Sequence, residues 1–266
     1  MAKLKHTLKT DTLFKMLFTR HQDLLKRLVA ELLGISHGSI ERFEVTNPEM
    51  PPEVLGGKFC RLDINMAVDG QLVNLEIQVR DDGDYPERAL FHWARMYSSA
   101  LPKGDDYQKL PRTVVISIVD FNLFGCAEFH SEFRPQEKTR GELLSDRMSL
   151  HFFELRKVPA QMGSGNMLLL WLSLFKARTE EELSKLRELE VPELEQALNA
   201  FDQIRASPEF LEIERQREIM RMNEASALRH ARDKERMKWE GVVAGKDAEN
   251  ERLRAENEAL RARLKD

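Results

Sequence analysis

The stretch RLDINMAVDGQLVNLEIQVR (61–80) constrains the fold more tightly than any other, because its pairing follows from its pattern alone. Two runs that alternate apolar and polar residues flank Asp69-Gly70, a strong signal for a two-residue hairpin turn. Closing the turn pairs Val68 with Gln71, and the register then runs outward mechanically. Leu62 faces Ile77, Ile64 faces Leu75 and Met66 faces Val73, which makes one apolar face for a core. The other face sets Arg61 against Gln78, Asp63 against Glu76 and Asn65 against Asn74. A slip by one residue would put carboxylates among leucines, so the pattern resists it. Directly opposed strand residues have Cβ atoms about 4.5–5.5 Å apart, and like charges so placed repel. Two settings tolerate the Asp63–Glu76 pair: open water, or a divalent cation between the carboxylates. Mg²⁺ commonly takes one or two carboxylates and keeps several waters. The hairpin by itself leaves both settings open.

Around the hairpin, DTLFKMLFTRHQDLLKRLVAELLG (11–34) has leucines at helical spacing, a break near Arg20–His21, and Gly34 suited to end the helix. A Pro-rich loop (47–57) follows. YPERALFHWARMYSSAL (85–101) predicts a helix with Pro86 at its start. RTVVISIVDFNLF (112–124) is a β-branched run of the kind found in a strand covered on both faces, and MSLHFFEL (148–155) predicts a further strand. The order helix, two strands, helix, strand, strand gives a mixed α/β core.

From about residue 160 strand signals stop. MLLLWLSLF (167–175) is too short for a bilayer helix and reads as a buried one. Charge dominates from Glu209 onward. The end places Asn250, Leu253, Asn257, Leu260 and Leu264 three and four residues apart, an a/d seam with Asn at two a positions that favours parallel pairing of two chains. The expected division is a core at 1–158, a helical region at 159–208 and a long helix with coiled-coil tail at 209–266. A formal charge of −4 gives no global attraction to nucleic acid, so any such contact needs a local basic surface. Cys60 and Cys126 form no CxxC pair, and the start lacks a signal-peptide core, which points to a reducing cytoplasm with no membrane association. The histidines show no metal-ligand spacing. GSG (163–165) reads as a hinge, and DDGDYPER (81–88) as a turn and helix entry, because no glutamate follows at calcium-loop spacing.

An aspartate on one strand, a short turn and Glu-x-Gln on the next resemble the PD-(D/E)XK nuclease superfamily. More closely, the chain resembles the Rpn family of recombination-promoting nucleases and putative transposases. The resemblance lies in TDTLFKMLF, LDINMAVDGQLVNLEIQV, YPERALFHWARMYSSAL, GDDYQKLPRTVVISIVDF and MSLHFFELRKV, in the family's order across most of residues 7–158. It implies a restriction-endonuclease-like mixed sheet flanked by helices, and hydrolysis of DNA phosphodiesters with Mg²⁺ or Mn²⁺. Asp63 matches the metal-binding aspartate and Glu76 the acidic member of the next element; the Ile77 carbonyl is a further ligand. Gln78 stands where the superfamily usually has Lys, as it does in many members of the nearer family. Asp11 and Glu31 are candidates for the helical acid, and Lys15 matches a family position. Lys15 or Arg80 would supply the positive charge that Gln78 lacks. Arg88 and Arg95, seven apart on one helix, are candidate phosphate contacts, with salt bridging to the acidic turn as the alternative. The expected function is a metal-dependent DNA endonuclease acting in recombination, mobile-element or defence processes, as a homodimer through its tail. The alternatives are a degenerate nuclease fold that binds nucleic acid or protein without cleaving, and an adaptor built on the coiled coil.

Overall fold

The computed structural model describes residues 3–46, 63–160 and 165–263. The Pro-rich loop at 47–57, Arg61 and Leu62 of the outermost hairpin pairs, the first two residues of GSG and Leu264 of the tail seam lie outside the described residues. Within them, two compact units separate, 1–210 and 211–266.

In the first unit, β1 (Phe43–Val45), β2 (Asp63–Val68), β3 (Gln71–Gln78), β4 (Thr113–Val119), β5 (His130–Phe133) and β6 (Met148–Glu154) form one mixed sheet in the order β1-β2-β3-β4-β6-β5. The hairpin β2–β3 has the register its alternation dictates, with Asp63 opposite Glu76, Asn65 opposite Asn74 and Val68 opposite Gln71. Its turn holds Asp69 at φ 48° and Gly70 at φ 81°, the left-handed pair that matches strand twist. Asp69 Oδ1 also accepts the backbone N–H groups of Glu41 and Arg42 at 3.0 and 2.7 Å. That contact carries the chain into β1, which pairs antiparallel with β2.

The sheet turns parallel at β3–β4 and β4–β6, which requires a crossover. The helix α3 (Tyr85–Ser99), with Pro86 in its first turn, supplies it. Trp93 Nε1 donates to the Thr113 carbonyl at 2.9 Å, while Tyr85 and Ala89 pack on Val115, Val119, Leu150 and Phe152. Strand alternation therefore puts Asn74, Glu76 and Gln78 on the α3 face, level with Val115, Ser117 and Val119 of β4. Every residue of β4 is buried, as its unbroken β-branched run predicts.

The helices α1 (Asp11–Arg20) and α2 (Gln22–Leu33) break at His21, and Gly34, at φ 66°, ends α2 with bonds back to Ala30 and Glu31. α4 (Met167–Lys176) is capped by Asn166 and buries Leu170–Phe175. Its Trp171 and Phe175 join Phe14 and Phe18 of α1 in an aromatic cluster. α5 (Glu180–Arg187) starts on a capping box of Thr179 and Glu182, and α6 (Pro192–Ala206) on a proline. The last helix, α7 (Pro208–Arg263), runs 56 residues. Its part beyond Phe210 is mostly exposed and laced with local pairs such as Arg215–Glu212 and Arg236–Asp233. Among the described residues no helix is long and apolar enough to cross a membrane.

A Cβ at Gly70 would meet nothing within 4 Å, so a side chain there costs only backbone strain. Gly70→Ala is expected to lower the unfolding free energy by about 1 kcal/mol with an unchanged circular dichroism spectrum. Urea denaturation showing no loss would contradict the left-handed turn.

Candidate active site

Glu76 is the side chain around which this face is organised. It is only 3% exposed, so open water does not solvate this carboxylate opposite Asp63. Among the described residues its ion-pair partners come from α3. Arg88 Nη2 approaches Oε1 at 3.5 Å, and His92 Nδ1 lies 3.3 Å from Oε2. Neither is a strong bond by distance, and among the described residues Oε2 has no hydrogen-bond partner. Tyr85, Arg88 and His92 recur at i, i+3 and i+7, so one face of α3 presents all three. The Arg88 guanidinium sits 4.8 Å from the centre of the Tyr85 ring and 4.0 Å from Asp82. The Tyr85 phenol is pushed far up, first by burial and then by the negative charge of Glu76, so it stays neutral.

The neighbouring amides are accounted for differently. Asn74, 1% exposed, donates its Nδ2 to Asn65 Oδ1 across the hairpin at 2.8 Å. Gln78 Nε2 donates to the Arg80 carbonyl at 2.8 Å and lies 3.5 Å from Asp82 Oδ2. The Gln78 carbonyl accepts the Asp120 N–H at 2.9 Å and so faces β4. Carbonyls alternate along a strand, which turns the Ile77 carbonyl toward the β2 side, where Asp63 pairs.

The remaining sequence candidates come from several elements. Asp11 opens α1 and Lys15 is buried on the same helix. Arg80 and Arg95 are exposed. Arg88 bridges to Glu76 and to Asp82 of the acidic turn, the alternative to a free phosphate contact. Glu31 lies elsewhere, in a cleft of about 240 Å³ lined also by Arg112, His130, Glu132 and His151. His151 is on the opposite sheet face from Glu76, since its β4 partner is Ile116 and that of Glu76 is Ser117. Glu31 therefore does not join this site; burial raises its pKa there.

Two groups carry no signal in the hairpin pattern. Lys9, buried and with its pKa lowered by burial, pairs with Asp120 at 3.0 Å, and Arg178 reaches the same carboxylate at 2.8 Å. This ties the lead-in to α1 to the residue that holds the end of β3. His92 was legible only as one of several polar residues on a helix; its place over Glu76 depends on how α3 crosses the sheet. Among the described residues no group of three His, Cys, Asp or Glu is arranged to hold a metal ion.

A mixed sheet with an acidic pair on its antiparallel hairpin, and a helical crossover into its parallel half, is the architecture of a PD-(D/E)XK nuclease fold. The family model described as PD-(D/E)XK nuclease family transposase matches residues 8–231, and the chain belongs to that family. The match supports a nuclease-like function. No curated protein and no solved structure matches the chain.

Because Glu76 is a buried carboxylate with long contacts, Glu76→Gln is expected to raise stability in EDTA by on the order of 1 kcal/mol. Thermal melts showing a clear loss would mean that Arg88 and His92 already compensate the charge. On the opposite face, His151 hydrogen-bonds His130 and Ser149, and burial lowers its pKa to about 4 against the opposing charge of Glu132. Between about 4 and the ordinary histidine value of 6.5, the unfolded chain holds the proton that the folded one refuses. Stability should therefore fall as pH drops through that window, and His151→Gln should flatten the fall. Equal slopes in urea midpoints for both proteins would contradict this.

Proposed function

We propose that the chain is a divalent-metal-dependent endonuclease that hydrolyses DNA phosphodiester bonds, with Mg²⁺ or Mn²⁺, in recombination, mobile-element or defence processes in the cytoplasm. One observation carries this reading. Glu76 is a buried carboxylate whose Oε2 makes no hydrogen bond among the described residues, and the backbone register sets it opposite Asp63. A cation is the complement such a pair calls for, and the donor set is all oxygen, as hard ions prefer.

Asp63, Glu76 and the carbonyl of Ile77 are the residues that would hold the ion, with Asp11 as a further candidate. When bound, it supplies the Lewis acidity that draws charge from the phosphoryl oxygens and makes a water nucleophilic near neutral pH. The rest falls to the protein. Gln78 spends its amide N–H on the Arg80 carbonyl, which leaves its Oε1 to accept a hydrogen from the attacking water and orient it. Gln78 brings no charge, so charge toward the scissile phosphate comes from Lys15, Arg80 or Arg88. Arg88 is suited to this, since its contact with Glu76 is long and its side chain is 30% exposed. Arg95 extends the same helix surface toward the DNA backbone. Pairing of two chains through the C-terminal seam would present two sites to two strands.

One feature favours the second reading, a nuclease fold that binds without cutting: Gln78 stands where a lysine usually does. Plasmid incubated with the protein in Mn²⁺ and then Mg²⁺ separates the two. Asp63→Ala is expected to abolish metal-dependent nicking while leaving the melting temperature unchanged or higher, because it removes a ligand and relieves repulsion. Gln78→Lys is expected to preserve or raise the rate. Undiminished nicking by Asp63→Ala would remove the assignment.

A further inference from the structure

We infer that His92 is a positioning residue for Glu76, fixing the carboxylate orientation in which it meets a divalent cation. The inference deepens the metal site proposed above and depends on it. It starts from an anomaly of burial. The side of α3 that meets the sheet buries Tyr85, Ala89 and His92, and a position between helix and sheet is ordinarily filled by an apolar side chain. His92 is 6% exposed, and its buried Nε2 has no hydrogen-bond partner among the described residues. An imidazole placed there loses hydration at one nitrogen and gains nothing from it. The other nitrogen, Nδ1, lies 3.3 Å from Glu76 Oε2.

The tautomer follows from these neighbours. A proton on Nε2 would be a buried donor without an acceptor, whereas a proton on Nδ1 faces a carboxylate. His92 therefore turns Nδ1–H toward Glu76 Oε2, in a 3.3 Å electrostatic contact that falls short of a hydrogen bond. The ring is held on a rigid element: the next residue, Trp93, is bonded to the Thr113 carbonyl at 2.9 Å, and one turn earlier Ala89 packs on the core. Glu76 itself is not fixed from within its strand, because Arg88, at 3.5 Å and part-exposed, is its one other donor among the described residues. A carboxylate with two long contacts can rotate about its terminal bond. The rigid partner selects the rotation, and the more mobile Arg88 is left able to turn to phosphate. The partners of metal ligands act in this way, and losing one typically costs about 10–100-fold in metal affinity or activity.

The test is Mn²⁺ titration of the full chain, followed by the electron paramagnetic resonance of free Mn²⁺, with plasmid-nicking kinetics alongside. His92→Leu is expected to weaken Mn²⁺ binding by about 10–100-fold and to lower kcat while KM for DNA stays near wild type, with the melting temperature held or raised. His92→Asn, whose amide N–H stands close to the place of Nδ1–H, is expected to restore most of the affinity. A simple packing role would give the reverse, since leucine fills the space better than asparagine. Wild-type affinity in His92→Leu, or no rescue by His92→Asn, overturns the inference and leaves the metal site standing. Absence of Mn²⁺ binding by the wild-type chain overturns the site and the inference together.

Discussion

The structure depends on one pairing, the β2–β3 hairpin closed at Asp69-Gly70. Its left-handed turn fixes the register, and the register decides which residues go to which face. Ile64, Met66, Val73, Leu75 and Ile77 go to one side and are buried. Asn65, Asn74 and Glu76 go to the other, with Asp63 opposite Glu76. That polar side would be ordinary if it were wet. The crossover to β4 instead lays α3 over it, so one short segment sets both the geometry and the dielectric of the site.

Burial turns a mild repulsion into a strong demand. Exposed like charges on a strand pair cost little, but a sealed carboxylate loses hydration that must be replaced. Asn74 replaces part of its hydration by donating Nδ2 to Asn65 Oδ1. Glu76 does not, since Arg88 and His92 approach at 3.5 and 3.3 Å without satisfying Oε2. A site left short of partners in this way is a common place for a protein to hold function at the expense of stability. Elsewhere in the first unit helix ends are met in ordinary ways, by a capping box at Thr179 and a Schellman ending at Gly34, and Asp120 at the end of β4 is paired with Lys9 and Arg178.

Much of this was legible in the sequence, for physical reasons. The hairpin, β4, β6, α3 and the break at His21 all come from long periodic or β-branched runs, or from a glycine or proline with a definite backbone role. β1 and β5 were not legible. They are three and four residues long, too short to show a period, and they exist because a neighbouring edge offers them hydrogen bonds. Within the site, Asp63 opposite Glu76 follows from counting. The depth of Glu76 and the places of Arg88 and His92 do not, because they depend on where a helix crosses a sheet. Glu31 shows the converse limit: an acid on an early helix matches a pattern, yet the fold carries it to the opposite face.

The most direct measurement of the central claim is a crystal grown or soaked with Mn²⁺ and recorded for anomalous scattering. An anomalous peak between the carboxylates of Asp63 and Glu76, near the carbonyl of Ile77, is the predicted result. A map with no peak there, or one with the ion bound only elsewhere, would contradict the account.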